Sequence, residues 1–509
     1  MKKMMFFAVV ATMFAACSKD ATNNAGIDLS KDKLYVSISS DDASRIQLDE
    51  ECQTVWNADD QVSVFNKTTD NRCYKFTGQT GDKTGELVYV EGGATGSAID
   101  KVIALYPYDS AAVIADGLIQ TTIPATQKYV ANSFGEGGNI MVAQSDNENL
   151  SFKHVFGWIK LQLSGNYAVK SITLAGLNNE SLAGSATIGA DLSVTLADDA
   201  TRTLTLDCGE GVQLTDTPTA FYIAVLPQTF ENGVNIEINI SDSYKFSKSI
   251  AHSFTVARNH IVPVKNLAKQ FPSIEYTTSD GNAITVDATD FDAPIISNTC
   301  TGGKGVILFD GKPTAIGKQA FYECSTLTRF SIPDSITKIG TAAFGESLTS
   351  VYITDLAAWC AIQFSDATAN PLFHAGNLYL NNELVTDLVI PEGITAINSY
   401  AFVMWSGLTS VTMPNSVTTI GDYAFWSCSA LTTATIGSGV TKIGGYAFWS
   451  CSALTNIYCK PTTPPSLGSE AFYLVPSSVK IYVPTASVSA YTSATNWERY
   501  ASKIVGYDF

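Results

Sequence analysis

The carboxyl-terminal part of the sequence repeats an Ala-Phe pair at nearly constant spacing. The pair begins at residues 320, 343, 401, 424, 447 and 471, so its spacings are 23, 58, 23, 23 and 24 residues. A unit of 23 residues is too short to enclose its own apolar face, so neighbouring units must stack and share one hydrophobic interior. The period therefore predicts a solenoid at the end of the chain.

The repeated unit also predicts the role of its individual positions. It reads Ile-Gly-x-x-Ala-Phe-x-x-Cys-x-x-Leu-Thr at residues 420–432 and again at 443–455, and a short strand of alternating apolar residues follows. We expect each Phe to be buried and each Ala to let adjacent coils approach closely. Cys324, Cys428 and Cys451 share one column; without any Cys-x-x-Cys, they are predicted to be small buried hydrophobes, not a metal or redox ladder.

Residues 305–509 resemble the BspA-type leucine-rich repeats of microbial cell surfaces. The resemblance rests on segments such as Ser-Val-Thr-Thr-Ile-Gly at 416–421 and Gly-Val-Thr-Lys-Ile-Gly at 439–444. It implies repeats over 305–484, a terminal cap over 485–509, and a role as an adhesin or protein-binding surface. The segment from Asp355 to Asn398 departs from the repeat.

The amino-terminal region changes to short apolar-polar alternation bounded by Gly, Asn and Asp, which is typical of β-strands. No stretch there has a helical period over twelve residues, so an all-β arrangement is expected. The predicted strands are 34–38, 61–65, 101–105, 158–163, 220–226 and 234–240.

The same region resembles the fimbrillin-like lipoproteins of Bacteroidetes. The resemblance rests, in order, on Val-Trp at 55–56, Asp-Gln-Val-Ser-Val-Phe at 60–65, Ala-Leu-Tyr-Pro-Tyr at 104–108, Phe-Lys-His at 152–154 and Val-Leu-Pro at 225–227. It implies two transthyretin-like β-sandwiches, which we place at 33–145 and 146–268, with a linker over 269–304 before the repeats. The fold class expected for the whole chain is thus mainly β.

In polymerising fimbrillins, proteolysis at an amino-terminal Arg precedes donor-strand exchange, and Arg45 is the first Arg of this chain. The resemblance therefore raises the hypothesis that Arg45 is a processing site that exposes a groove for a partner's strand. The alternative is an ordinary solvated Arg beside Asp41 and Asp42.

The first seventeen residues have the pattern of an export signal. Lys2 and Lys3 precede a largely apolar stretch of thirteen residues, which ends in Ala16 before Cys17. The junction resembles a bacterial lipobox, which implies a signal peptide over 1–16, cleavage between Ala16 and Cys17, and a lipidated linker over 17–32. The expected location is the outer membrane, with the chain anchored in its lipid through Cys17 and exposed at the cell surface; the alternative is a soluble secreted protein.

Charge and motifs exclude several other classes of function. The chain carries 31 basic and 48 acidic residues, a net charge of −17, which argues against nucleic acid as a partner. Its four His form no recognised arrangement, and no nucleophile elbow, zinc motif or phosphate-binding loop is present. We therefore predict a protein that is not an enzyme, with no catalytic residues, metal site or cofactor.

Aromatic residues of the repeats are the candidate binding residues. Trp and Tyr are frequent hot spots at interfaces and also stack on sugar rings, whereas the alternative is that they pack between coils. The chain is thus predicted to be an adhesin whose repeats bind proteins of a host matrix or another bacterium; the alternatives are a tip or accessory fimbrial subunit, which contacts other subunits, and a glycan-capturing lipoprotein. The candidates are Tyr322, Tyr352, Tyr423, Trp426, Tyr446, Trp449 and Tyr458.

Overall fold

A computed structural model describes residues 33–38, 55–66, 70–92 and 101–509 of the chain. The predictions for Ala16, Cys17 and Arg45 concern positions outside these residues. Throughout the described part the protein is mainly β, as the sequence predicts. No helix among the described residues has the length and apolar character needed to cross a membrane.

The first unit is a closed barrel. Its strands run in the order β1-β11-β10-β5-β2-β3-β4, and β1 closes it by pairing in parallel with β11 and antiparallel with β4. The strands up to this point are β1 (Lys33–Ile38), β2 (Gln61–Asn66), β3 (Asp70–Phe76), β4 (Thr84–Glu91), β5 (Val102–Tyr106), β6 (Val113–Ala115), β7 (Leu118–Ile123), β8 (Thr126–Val130), β9 (Ser133–Phe134), β10 (Met141–Ser145) and β11 (Asn149–His154).

The barrel core brings together residues from several of the motifs that carry the fimbrillin resemblance, among them those at 55–56, 104–108 and 152–154. The ring of Trp56 lies 5.3 Å from each of the rings of Phe76, Tyr106 and Phe152, stacked on the first and edge-on to the other two. Offset and edge-on aromatic pairs stabilise a core beyond their buried area. Motifs separated by about 100 residues along the chain thus form one cluster.

The second unit contains two sheets that share one hydrophobic cluster, as in a β-sandwich. One of these two sheets has the order β17-β12-β22, with β23 beside β12, and the other has the order β20-β19-β13-β16-β8-β9; two further sheets have the orders β15-β14-β7-β6 and β18-β21. The strands are β12 (Gly157–Gly165), β13 (Ala168–Gly176), β14 (Gly184–Ile188), β15 (Val194–Leu196), β16 (Thr203–Gln213), β17 (Thr219–Val225), β18 (Gln228–Phe230), β19 (Val234–Asn239), β20 (Lys245–Ile250), β21 (Phe254–Val256), β22 (Ile261–Pro263) and β23 (Leu267–Lys269).

The two units interlock at their boundary. Strand β7 pairs with β14 and β8 pairs with β16, so residues 118–130 belong to sheets of the second unit. The boundary expected between residues 145 and 146 instead falls in the turn of a hairpin, and both of its strands, β10 and β11, pair within the barrel. Local alternation marked the strands, but it carries no information about which distant strand each one pairs with.

Residues 269–304 are folded where the sequence led us to expect a linker. They contain β24 (Ser273–Thr278) and β25 (Ile295–Thr301), which pair with β26 (Lys304–Phe309). Ile296 and Leu308 pack into the hydrophobic cluster of the second unit, while Ile274 and Ile307 belong to that of the solenoid. This sheet caps the solenoid because its apolar residues alternate between the two cores.

Two ladders of short strands run through the solenoid, interrupted at the irregular unit, and their strands are parallel except for the antiparallel β24, β25 and β26 at the start and β33. The orders are β25-β26-β24-β28-β30-β32-β33 and β34-β36-β38-β40-β42-β43 for one ladder, and β27-β29-β31 and β35-β37-β39-β41 for the other. The strands are β27 (Ala315–Ile316), β28 (Leu327–Ser331), β29 (Lys338–Ile339), β30 (Ser350–Ile353), β31 (Gln363–Phe364), β32 (Asn377–Leu380), β33 (Glu383–Val385), β34 (Asp387–Val389), β35 (Ala396–Ile397), β36 (Ser410–Thr412), β37 (Thr419–Ile420), β38 (Thr433–Ile436), β39 (Lys442–Ile443), β40 (Asn456–Cys459), β41 (Ser466–Leu467), β42 (Lys480–Pro484) and β43 (Ile504–Tyr507).

The Phe residues of the repeat stack in register, as the period predicts. Ring centroids lie 5.2 Å apart between Phe402 and Phe425, 5.1 Å between Phe425 and Phe448, and 5.5 Å between Phe448 and Phe472, all with nearly parallel planes. These four side chains are buried, and so are the Ala residues before them. One hydrophobic cluster runs from Ile274 to Tyr500, so the coils share a single interior.

At the irregular unit and at the carboxyl end, side chains make the hydrogen bonds that a neighbouring coil would otherwise make. Helix α1 (Leu356–Ala361) and the 3-10 turns Ala367–Ala369 and Pro371–Phe373 occupy the gap before residue 400. There Trp359 and Asn370 donate to the carbonyl of Ala401. The cap, with α2 (Val488–Ser493) and the 3-10 turns Thr485–Ser487 and Glu498–Lys503, supplies Trp497, which donates to Pro465. Buried carbonyls that lack a neighbouring coil are thus satisfied.

Candidate binding surfaces

A column of Tyr residues runs along the side of the solenoid that carries the Ala-Phe pairs. The rings of Tyr400 and Tyr423 are stacked 5.2 Å apart, and those of Tyr423 and Tyr446 4.8 Å apart. Each of these residues donates its backbone N–H to a carbonyl of the next coil, which fixes the spacing of the rings. All three have a positive φ, between 57° and 64°.

The left-handed backbone at this column is a property of the repeat, because Gln319, Ala342 and Glu470 occupy the same position with φ between 51° and 59°. For a residue other than Gly this conformation costs about 1 kcal/mol or more. The sequence nevertheless places Tyr there in three consecutive coils, where Gly or Asn would be less strained.

Two Trp residues lie beside the Tyr column. The rings of Trp426 and Trp449 are 5.5 Å apart, and each makes an edge-on contact with the Tyr of its own coil, Tyr423 or Tyr446. Together with Tyr400 they form a surface that we call the aromatic strip: Tyr400, Tyr423, Trp426, Tyr446 and Trp449. Its members are half-buried, so they pack against one another between coils and also present part of their rings to solvent. Burial and nearby acidic groups raise the pKa of Tyr400 and Tyr423, so both phenols stay neutral at physiological pH.

Tyr352 lies elsewhere, on the outer face of the sheet β25-β26-β24-β28-β30-β32-β33. Its ring is stacked on that of Tyr379 at 4.4 Å with planes 2° apart, and the guanidinium carbon of Arg329 lies 3.8 Å from its centroid on the neighbouring strand. The three side chains form a continuous stack that crosses β28, β30 and β32.

Tyr458 belongs to a third group, on the outer face of the sheet β34-β36-β38-β40-β42-β43. Its ring is stacked on Tyr482 at 4.9 Å and meets Tyr507 edge-on at 5.6 Å. Phe509, 51% exposed, contacts Tyr507 at 5.0 Å. Tyr482 could have been found from the sequence because it follows the strand register of Tyr458, whereas Tyr379 lies in the irregular unit, where the period gives no register.

Tyr322, 52% exposed, makes no ring contact with any described residue. It borders a cleft lined by Asp280, Asp287, Asp290 and Glu323. Burial, with Asp287 nearby, raises the pKa of Asp290, whereas the Asp287 carboxylate accepts from the backbone and side chain of Thr289 and has a lowered pKa. In the described part of the chain, no group of three or more His, Cys, Asp or Glu is arranged to hold a metal ion.

The architecture defines a class of protein: β-barrel and β-sandwich units that carry a repeat solenoid with an aromatic outer surface. Within this class, residues 46–280 match the fimbrillin-like family, and residues 306–359 and 376–496 match the BspA type leucine-rich repeat region in six copies. The chain thus combines a fimbrillin-like region with BspA-type leucine-rich repeats.

Several solved structures are similar to parts of the chain. A proposed cell adhesion protein of Bacteroides ovatus is 17% identical, with 42% of this chain and 85% of that one covered and a TM-score of 0.29. A proposed cell adhesion protein of Bacteroides uniformis is 14% identical over 42% and 88% of the two chains, with a TM-score of 0.28. A leucine-rich repeat protein of Bacteroides ovatus is 20% identical over 42% and 59%, with a TM-score of 0.22. No curated protein matches the chain.

Proposed function

We propose that this protein is a surface adhesin, anchored in outer-membrane lipid through Cys17, whose repeat solenoid binds proteins of a host matrix or another bacterium through the aromatic strip. The barrel and sandwich units carry the solenoid outward, and the protein performs no chemistry. The fimbrillin-like and BspA-type regions support this role, since both families are implied to act at cell surfaces.

The aromatic strip is the observation that carries the proposal. Phe402, Phe425 and Phe448 already fill the space between coils, so a second aromatic column outside them is more than the core requires. Rigid, half-exposed Trp and Tyr side chains lose little conformational entropy on binding and are enriched among interface hot spots.

An adhesion assay tests this function. Beads coated with the full chain are applied to immobilised collagen, fibronectin and laminin and to intact bacterial cells, alongside beads coated with a Trp426→Ala, Trp449→Ala variant. We expect the wild type to adhere to at least one surface, and the double variant to adhere at least about tenfold less while its thermal unfolding stays cooperative. Tyr89→Ala, a change on the barrel surface, serves as the control and should adhere like the wild type. Equal adhesion of wild type and double variant would exclude the strip.

A fimbrial subunit is the second candidate, and the position of β1 favours it. This strand lies between β4 and β11, and among the described residues it is the barrel strand that precedes Arg45. Cleavage at Arg45 would release β1, break the hydrogen bonds to both neighbours and leave a groove into which a partner's strand could pair.

Amino-terminal sequencing of the protein recovered from cells tests this candidate. Material that begins at Ile46 and is enriched in purified fimbriae supports a tip or accessory subunit. Material that keeps residues 33–38 and is absent from fimbriae contradicts strand exchange through this groove but leaves the adhesin proposal intact.

A further inference from the structure

Arg329 is an unusual cation in a chain of net charge −17. Its side chain is half-buried on the outer face of β28, with the guanidinium flat over Tyr352. No residue in the described part of the chain forms an ion pair or hydrogen bond with it, and its Nε is buried without a partner. Acidic side chains outnumber basic ones, yet no acidic side chain of the described residues forms an ion pair with this group.

The stack holds Arg329 in a fixed orientation. Tyr352 is sandwiched between the guanidinium at 3.8 Å and the ring of Tyr379 at 4.4 Å, so neither ring can turn without losing a contact. A guanidinium that stacks through its face keeps its edge, with the N–H donors, directed away from the ring. This edge matches the two oxygens of a carboxylate, which accept a pair of parallel hydrogen bonds.

Polar and apolar side chains on neighbouring strands lie beside the stack, each separated from the next by the distance between two strands. Arg329 is opposite Ser350 in the register, and Ser350 is opposite Asn377, which gives a row of hydroxyl and amide groups about 4.8 Å apart. In the next row Tyr379 is opposite Leu384, which is 50% exposed. The surface thus offers a fixed cation, hydroxyl and amide partners, and a flat apolar edge within four strands.

We infer that this surface, Arg329 with Tyr352, Tyr379, Ser350, Asn377 and Leu384, binds a carboxylate-bearing sugar of a surface glycan, such as a uronic or sialic acid. The carboxylate pairs with the edge of the guanidinium, ring hydroxyls bond to Ser350 and Asn377, and an apolar ring face packs on Tyr379 and Leu384. The inference deepens the proposed binding role of the solenoid, on which it rests, but uses a different face from the aromatic strip.

An acidic peptide would also satisfy a guanidinium, but the surroundings favour a sugar. A peptide carboxylate brings an extended backbone whose amides need partners along a strand edge, and Arg329 lies in the interior of its sheet, between β24 and β30. A sugar acid presents hydroxyls and an apolar ring face over the few ångströms that this row of side chains spans.

Binding of the full chain to immobilised oligosaccharides, measured by surface plasmon resonance, tests the inference. The oligosaccharides end in N-acetylneuraminic acid or in glucuronic acid, and each is compared with its carboxyl-reduced counterpart. We expect at least one acidic sugar to bind at least about tenfold more tightly than its reduced form, because the charged hydrogen bonds are lost on reduction. This comparison uses only the wild-type chain, so a folding defect in a variant cannot affect its result.

Variants then assign the preference to Arg329. Arg329→Gln and Arg329→Lys should both lose at least about tenfold in affinity for the acidic sugar, since Lys keeps the charge but not the planar fork. Arg499→Gln removes a charge that pairs with Glu470 elsewhere on the solenoid and should leave affinity unchanged. Equal binding of acid and reduced sugars, unchanged affinity in Arg329→Gln, or equal competition by poly-glutamate would each overturn the inference.

The experiments distinguish a failure of the aromatic-strip proposal from a failure of the sugar inference at Arg329. If Trp426→Ala, Trp449→Ala loses adhesion to matrix proteins but keeps the acidic sugar, both sites stand and are independent. If the wild type adheres through the strip but shows no carboxylate preference, the sugar inference alone is wrong.

Discussion

The thiol of Cys451 donates to the backbone carbonyl of Phe425 in the preceding coil, with Sγ and O 3.2 Å apart. Cys428 repeats this contact with Phe402 at 3.1 Å. Burial raises the pKa of Cys451 to about 12 and that of Cys428 well above its ordinary value. Cys428 and Cys451 are therefore more than the small hydrophobes expected from the sequence, since both thiols donate to a buried carbonyl between coils, whereas Cys324 is half-exposed and not buried as expected.

Replacing Cys451 tests this contact. Cys451→Ala removes one of two donors to the buried Phe425 carbonyl, which keeps the backbone N–H of Cys428 at 3.4 Å, and should lower the free energy of unfolding by about 0.5–1.5 kcal/mol in denaturant titrations. Cys324→Ala is the matched control: its thiol is half-exposed and 3.9 Å from the Thr285 carbonyl, so about 0.5 kcal/mol or less is expected. Equal losses in the two variants would show that the thiol-carbonyl contact adds nothing to burial.

The stacked Phe column predicts a larger effect. Phe425 contacts a Phe ring on both sides, so Phe425→Ala should leave a cavity shared by three coils and lower the free energy of unfolding by about 3–5 kcal/mol. Tyr473→Ala, at an exposed position, should change it by about 0.5 kcal/mol at most. A loss below about 1 kcal/mol for Phe425→Ala would contradict a shared interior.

Adjacent glycines of one coil provide a sharper steric test. A Cβ on Gly444 would lie 2.5 Å from the backbone nitrogen of Asp422 in the preceding coil, whereas one on Gly445 would meet nothing closer than 3.4 Å. Gly444→Ala should therefore force the coils apart and lower the melting temperature by several degrees, for a cost of about 1–3 kcal/mol. Gly445→Ala should have almost no effect; similar melting temperatures for the two variants would contradict the close approach.

His154 predicts a pH dependence of stability. Burial, with a smaller effect of Arg258, lowers its pKa to about 4, and its ring packs edge-on against Trp158 at 5.0 Å. Between pH 6.5 and 4 the unfolded chain binds the proton that the folded chain does not, so stability falls as pH falls, by up to about 3 kcal/mol. His154→Phe should lose less stability than the wild type from pH 7 to pH 4 in chemical denaturation, and parallel pH profiles would count against a neutral buried His.

The sequence predicts the parts of the fold that follow from a repeat or from the alternation of apolar and polar residues. The solenoid followed from the Ala-Phe period, and all six strands expected in the amino-terminal region are present, from β1 to β19. Pairing could not be predicted in the same way: β7 and β8 join the second unit, and β24 and β25 fold against the solenoid, because strand partners depend on contacts distant in sequence.

For a similar reason, the sequence predicts the neighbours of some candidate binding residues but not of others. The period places Tyr423, Trp426, Tyr446 and Trp449 on one side of consecutive coils, and the structure brings them together. Tyr352 and Tyr458 lie on a different face, with partners such as Tyr379 and Tyr507 that only the fold places beside them. The lack of an ion pair at Arg329 could not be found from the sequence, because the three-dimensional fold decides whether an acidic side chain reaches the guanidinium.

Hydroxyl-radical footprinting tests the role of the aromatic strip most directly. The full chain is oxidised alone and when bound to the matrix protein or cells that capture it, and side-chain oxidation is read by mass spectrometry. We predict that Trp426 and Trp449 are oxidised in the free protein and protected at least about threefold in the bound one, while the buried Trp158 and Trp497 are unreactive in both. Unchanged oxidation of Trp426 and Trp449 on binding would contradict the account.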